Sequence, residues 1–144
     1  WVFFIITVIK KMINKEIIKL ASNTSNVGLG SRYSHRISMK NSMCGDKITL
    51  ELLTDNKKIN SMKYETESCI YCEASASLLS KNIKNLSIKD IKKNFNAIKK
   101  NAQYKKVKIP KKFISFKRLI NSDNFSRYKC IFLPFDAVLK ALKL

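Results

Sequence analysis

Two runs of alternating residues constrain this chain most. From Lys47 to Thr54, Ile48, Leu50 and Leu52 alternate with Thr49 and Glu51, the pattern of a strand with one buried face. Asp55-Asn56 supplies turn residues, and Lys57 to Glu65, carrying Ile59, Met62 and Tyr64, returns as the next strand. Folding the chain about residues 55–56 sets residue 44 opposite residue 67 or so. Cys44 and Asp46, just ahead of the first run, therefore reach the same end of the sheet as Cys69, just behind the second. Gly45 between them gives the backbone freedom to turn both side chains inward.

The stretch Thr66-Glu-Ser-Cys-Ile-Tyr-Cys-Glu-Ala-Ser-Ala-Ser77 reads as the mouth of a helix with thiols at its first turn. Cys69 and Cys72 are three apart and share a helix face. Free N–H groups at a helix N-terminus favour thiolate, the form that attacks sulfur and binds metal. Behind them, Ala74-Ser75-Ala76-Ser77 is small enough to let other backbone approach closely.

Around this centre the chain reads in order. Trp1 to Ile9 is an apolar run followed by Lys10-Lys11, too short to span a bilayer, which takes about 20 residues. A secretory signal carries its charge before the apolar run, not after it. Residues 1–11 are expected to be a non-native or disordered extension, with residues 12–144 as one domain. Ile13 to Ala21 fits a short amphipathic helix, Ser22 to Gly30 a loop, and Tyr33 to Lys40 a first strand, where the lone His35 is expected to bond to its surroundings rather than hold metal. After the hairpin, the helix begun near Cys69 runs through Ile83. Ser87 to Asp90 opens another, with Ile88, Ile91, Phe95 and Ile98 at helical spacing. Residues 101–112 read as a connection, Phe113 to Ile120 as a short helix and residues 121–124 as a break. Cys130 then stands just ahead of a last helix bearing Phe135, Val138, Leu139 and Leu142, with Pro134 in its first turn. The plan is α+β: a three-stranded antiparallel sheet with helices packed on one face.

Composition narrows the function. The net charge is +19, but 25 of the 29 basic residues are lysine, scattered beside 18 Ile and 13 Asn, the residues of A/T-rich codons. No basic stripe with interleaved aromatics stands out, so no specific nucleic-acid partner is expected. Four cysteines, at 44, 69, 72 and 130, are too sparse for a secreted disulfide framework, which points to a reducing cytoplasm, and no membrane association is expected of so short an apolar run as residues 1–9. Three readings of the thiols stay open on the residues alone: structural zinc, which usually takes two Cys-x-x-Cys knuckles where this chain has one; a thiol–disulfide oxidoreductase using Cys69 and Cys72; and inert core cysteines.

Cys44-Gly45-Asp46, then Ser68-Cys69 followed by Ala74-Ser-Ala-Ser77, then Lys129-Cys130 before a terminal helix, resemble the iron–sulfur cluster assembly scaffolds of the IscU/SufU/NifU N-terminal family. Asn26-Val27-Gly28 is similar to their N-terminal loop, and the likeness spans roughly residues 13–144. It implies a SufE/NifU-like fold and a site of Cys44, Cys69 and Cys130 with Asp46 as the fourth, exchangeable ligand. It also implies a transient [2Fe-2S] cluster or a bound Zn2+. Thiolates hold iron and zinc well, while a carboxylate keeps one position labile. Lys47, Arg127 and Lys129 are expected to supply positive surroundings that lower the thiol pKa values. Cys72 is an extra thiol, read as a small core residue of the helix or else as a spare ligand or a resolving thiol.

Within the family the chain looks closest to the SufU type. It has Lys129 where the IscU type has histidine, only a faint echo of that type's chaperone motif at Val107-Lys-Ile-Pro110, a long interval from Cys69 to Cys130, and Arg127 near the last cysteine. The resemblance implies a non-enzymatic scaffold or sulfur acceptor. Its partners would be a SufS-like cysteine desulfurase and recipient apo iron–sulfur proteins or a downstream scaffold.

Overall fold

The structure is a computed structural model that describes residues 1–5, 15–103 and 108–144. The expected extension at 1–11 falls in part outside these residues, as do Ile13 and the Val107 end of the motif echo. Helix α1 (Lys15–Ala21) is followed by strands β1 (His35–Lys40), β2 (Lys47–Asp55) and β3 (Lys58–Glu67). Then come α2 (Ile70–Asn82), α3 (Ile88–Ala102), two 3-10 segments (Lys111–Arg118 and Ser122–Arg127) and α4 (Tyr128–Ala141). The strands form one antiparallel sheet in the order β1-β2-β3.

The β2–β3 hairpin turns at Asn56 and Lys57, both with positive φ (49° and 62°), the backbone of a tight two-residue turn. Its register pairs Lys47 with Glu67, with a bulge between Leu53 and Thr54. Residue 67 therefore stands opposite residue 47, not 44. The turn is centred one residue later than the Asp-Asn signal, and the bulge adds another residue. The expected juxtaposition survives because Cys44–Asp46 and Cys69 both overrun the same end of the paired strands.

One sheet face carries Ile37, Leu50 and Tyr64 in one row and Leu52 and Met62 in the next. This face packs into a core shared with the helices, centred on Phe95, Phe113, Phe116 and Phe135. Phe135 meets Phe95 and Phe116 edge-on, at ring-centroid distances of 4.7 and 5.0 Å. In α3, Ile91, Phe95 and Ile98 are buried at helical spacing, and Ser87 caps the helix by accepting the Asp90 N–H at 3.1 Å.

The opposite face is not bare. The approach to it starts at the sheet edge, where Asn26 to Gly28 pairs with β3 and Gly28 N–H donates to the Tyr64 carbonyl at 2.9 Å. The chain then reaches the central strand, where Gly30 N–H donates to the Glu51 carboxylate at 2.6 Å. Glu51, a polar position of the alternation, is consequently buried.

Two features of the last helix differ from the sequence reading. It begins at Tyr128, so Cys130 lies inside its first turn rather than ahead of it, and Pro134 is an interior residue. A proline there removes one intrahelical N–H. Beside it, Ser75 of α2 donates to the Ile131 carbonyl at 2.6 Å. The small run Ala74–Ser77 is wholly buried and is what lets α4 come this close.

Candidate metal centre

The loop from Asn41 to Asp46 presents the first half of the site. Asn41 organises it. Its side-chain oxygen accepts the Met43 N–H at 3.0 Å, its carbonyl accepts the Gly45 N–H at 2.8 Å, and its own N–H donates to the Asp46 carbonyl at 2.7 Å. Its amide also reaches the Lys129 carbonyl, one residue before Cys130, at 3.4 Å. The sequence reading passed over Asn41; an asparagine three residues ahead of a Cys-Gly-Asp turn was the available signal. Gly45 has φ +75°, a left-handed backbone with open space around it, so its requirement is conformational rather than steric.

The second half comes from two helix beginnings. Cys69 is the N-cap residue of α2 and Cys130 the third residue of α4. Ligand atoms of Cys44, Asp46 and Cys130 all lie within 4.8 Å of one another, and the Cys130 and Cys44 sulfurs are 3.6 Å apart. Cys69 joins through Asp46. Its N–H donates to one carboxylate oxygen at 3.0 Å and its thiol to the other at 3.3 Å. Two thiols and a carboxylate this close, with a third thiol on the same carboxylate, form a donor set that suits zinc or iron.

Asp46 is nearly buried, and burial alone would raise its carboxyl. The Cys69 N–H and the thiols of Cys130, Cys69 and Cys44 outweigh burial and hold it below its ordinary value. Cys130 behaves otherwise than expected. Burial pushes Cys130 well up, and its hydrogen bonds with Asp46, Cys44 and Cys69 act in the same direction. Two of the basic residues are turned to other partners, the Lys129 ammonium lying 2.7 Å from the Met43 sulfur and the Arg127 guanidinium stacking over Tyr71 at 5.5 Å, while Lys47 opens β2 in register with Lys40 and Glu67. In the metal-free chain the carboxylate and burial decide Cys130, against the expected lowering.

Cys72 lies beneath the site with no exposed surface, and burial pushes its thiol up to about 12. It behaves as the core residue of the first reading, poorly suited to be one half of a redox pair with Cys69. His35 bonds locally to the Ser34 hydroxyl, as expected of a strand histidine. A groove of about 950 Å³ opens beside the centre, with Cys44 and Cys130 on its wall and the exposed Met43 and Phe125 at its edge. Among the described residues, no helix is long and apolar enough to cross a membrane.

Comparison with known proteins agrees with this architecture. The family model for the NifU-like N terminal domain matches residues 12–120, which takes in Cys44, Asp46 and Cys69 and ends before Cys130. The fold is similar to that of an N-terminal NifU-like protein from Brucella abortus, at a TM-score of 0.82 and 20% identity over 94% of each chain. It is also similar to a candidate iron–sulfur cluster assembly scaffold for the SUF system from Fervidobacterium islandicum AW-1. There the TM-score is 0.75 and the identity 23%, over 91% of this chain and 96% of that one. No curated protein matches the sequence. With three quarters of its length covered by the family model, the chain belongs to the NifU-like N-terminal domain family.

Proposed function

We propose that this protein is a scaffold for iron–sulfur cluster assembly that accepts persulfide sulfur from a cysteine desulfurase and binds iron or zinc through Cys44, Cys69, Cys130 and Asp46. The observation that carries this reading is the convergence of Cys44, Asp46 and Cys130 within 4.8 Å, on a domain of this family. The closeness in fold to the SUF-system protein favours a SufU-like role. Cys44 is exposed on its loop and is the thiol a partner reaches first. Its thiolate attacks the outer sulfur of the desulfurase persulfide. A new S–S bond forms on Cys44, the old one breaks, and the desulfurase cysteine leaves as thiolate. Iron is a second substrate of the same site, and the assembled cluster passes on to an apo-protein. Asp46, the hardest of the four donors, is the position at which the cargo is loosened. Such a protein holds and hands over cargo and does not turn over a substrate of its own. It works in a reducing cytoplasm, where its thiols stay available.

The deciding measurement is the metal and acid-labile sulfide content of anaerobically purified chain, wild type beside Asp46→Ala. Iron with matching sulfide, held longer in the variant, is the result expected of a cluster scaffold. Zinc at about one per chain without sulfide points instead to a sulfur acceptor with resident zinc. No metal in either preparation, with the thiols intact, overturns the site.

A further inference from the structure

The sulfur delivered by a persulfide is sulfane sulfur, at oxidation state zero, whereas an iron–sulfur cluster contains sulfide. Two electrons must come from somewhere. The structure places a source beside the acceptor. The Cys130 sulfur is 3.6 Å from the Cys44 sulfur, within sulfur hydrogen-bond reach. Cys44 is exposed on a loop that turns through Gly45, while Cys130 is buried and held in the first turn of α4. One thiol is thus presented to a partner and the other waits behind it. Cys72, with no exposed surface and set in the packed core, is placed for neither task.

We infer that the Cys44–Cys130 pair discharges accepted sulfur as sulfide by forming an intramolecular disulfide, an activity that rests on the sulfur-acceptor reading above. The outer sulfur of the Cys44 persulfide takes the Cys130 proton, and the Cys130 thiolate so formed attacks the inner sulfur. The Cys44–Cys130 bond forms, the bond to the outer sulfur breaks, and the outer sulfur leaves as hydrosulfide with the proton from Cys130. The two cysteine sulfurs are oxidised by two electrons in total and the sulfane sulfur is reduced by two, so no outside reductant enters the step. Contact at 3.6 Å is close to an attack distance, and closing to a disulfide of about 2.05 Å asks for movement of the exposed Cys44 loop rather than of the helix. The product disulfide removes two donors from the metal centre. Each discharge therefore has to be followed by reduction, by a dithiol, before the site binds metal again.

The test uses the full chain, stripped of metal with a chelator, reduced, and freed of reductant under anaerobic conditions. It is loaded briefly with inorganic polysulfide and passed through gel filtration. Cyanolysis counts the sulfane sulfur at once; sulfide release and peptide mapping of disulfides then follow with time. The expected result is sulfide and the Cys44–Cys130 disulfide appearing together, one for one, with no reductant added. Cys72→Ser behaves as wild type, and Cys130→Ser loads sulfur but releases sulfide at least about tenfold more slowly. The wild-type disulfide map keeps the test valid if Cys130→Ser folds poorly. Sulfane sulfur that loads and stays until a dithiol is added overturns the inference and leaves the acceptor reading standing. So does sulfide release accompanied by a different disulfide. No loading at time zero overturns the acceptor reading and the inference with it.

Discussion

The Asp46 carboxylate grips Cys69 twice, through the backbone N–H at 3.0 Å and through the thiol at 3.3 Å. Cys69 opens α2 without any cap from its own side chain, so Asp46 does for this helix start what a capping residue does elsewhere. The candidate labile ligand is therefore also a structural anchor, and metal and helix compete for the same oxygens.

In the metal-free chain, Asp46→Ala should cost about 1–2 kcal/mol of unfolding free energy, the worth of a buried charge-assisted hydrogen bond. Asp46→Asn keeps an oxygen for the Cys69 N–H and should recover part of it. The pH dependence follows from the same contacts. The folded carboxyl lies below the ordinary value of 3.8, so its contribution is complete above that value and is lost as pH falls through the folded one. Urea midpoints at about pH 5 and pH 3 should therefore fall further apart for wild type than for Asp46→Asn. Equal differences would mean that the grip on Cys69 carries no stability.

Cys72 gives the opposite limb. Burial raises its thiol from 9.0 to about 12, so folding favours the neutral form. The associated stability is intact below pH 9 and is lost as pH rises towards 12. Metal-free Cys72→Ala should be less stable at neutral pH by about 1 kcal/mol, through the small cavity it leaves. Its stability should then decline less between pH 9 and pH 11 than that of wild type, by about 1 kcal/mol or more. Parallel decline in the two proteins would mean that this thiol is not shielded as its burial implies.

The meeting of Cys44, Asp46 and Cys69 was legible in the sequence because three local signals converge on it. Strand alternation fixed the faces of β2 and β3, a two-residue turn joined them, and helix onset at Cys69 placed a thiol at the same sheet end as Cys44 and Asp46. The register was misjudged because an Asp-Asn pair marks a turn without saying which two residues take positive φ, and a bulge leaves no sequence mark. Cys130 as part of a helix was not legible either. Proline at position 134 reads as a first-turn residue, and only the neighbouring Ser75 and a buried apolar face explain why the helix begins six residues earlier. The burial of Glu51 depends on a chain crossing from residues 26 to 30, a long-range event that period-two alternation does not encode.

Ser75 is the contact through which α2 supports that interrupted helix. Its hydroxyl is fully buried and donates to the Ile131 carbonyl, one turn before Pro134. Ser75→Ala removes this buried donor and leaves the Ile131 carbonyl only its intrahelical partner, which should cost about 1 kcal/mol. Because Ile131 adjoins Cys130, the same variant should weaken zinc binding measurably while leaving all four thiols titratable in denaturant. A stability loss with unchanged zinc affinity would separate the helix contact from the positioning of Cys130.

Glu51 is the buried charge on the far side of the sheet. One carboxylate oxygen accepts the Gly30 N–H at 2.6 Å; the other has no hydrogen-bond partner among the described residues and faces the Arg36 guanidinium at 3.8 Å. Arg36 is about half exposed, so the pair is screened on one side and worth less than a fully buried one. Removing the cation nevertheless leaves an uncompensated carboxylate in a site that is 3% exposed. Arg36→Ala should therefore destabilise the fold by about 1–3 kcal/mol, more than a surface pair would. Glu51→Gln, which keeps an acceptor for Gly30 and drops the charge, should be close to neutral and should remove most of the Arg36→Ala penalty in the double variant. Hydrogen exchange at the Gly30 amide reads the crossing segment directly: it should quicken in Glu51→Ala and stay near wild type in Glu51→Gln. If both variants exchange alike, the carboxylate is not what holds residues 26–30 to the sheet.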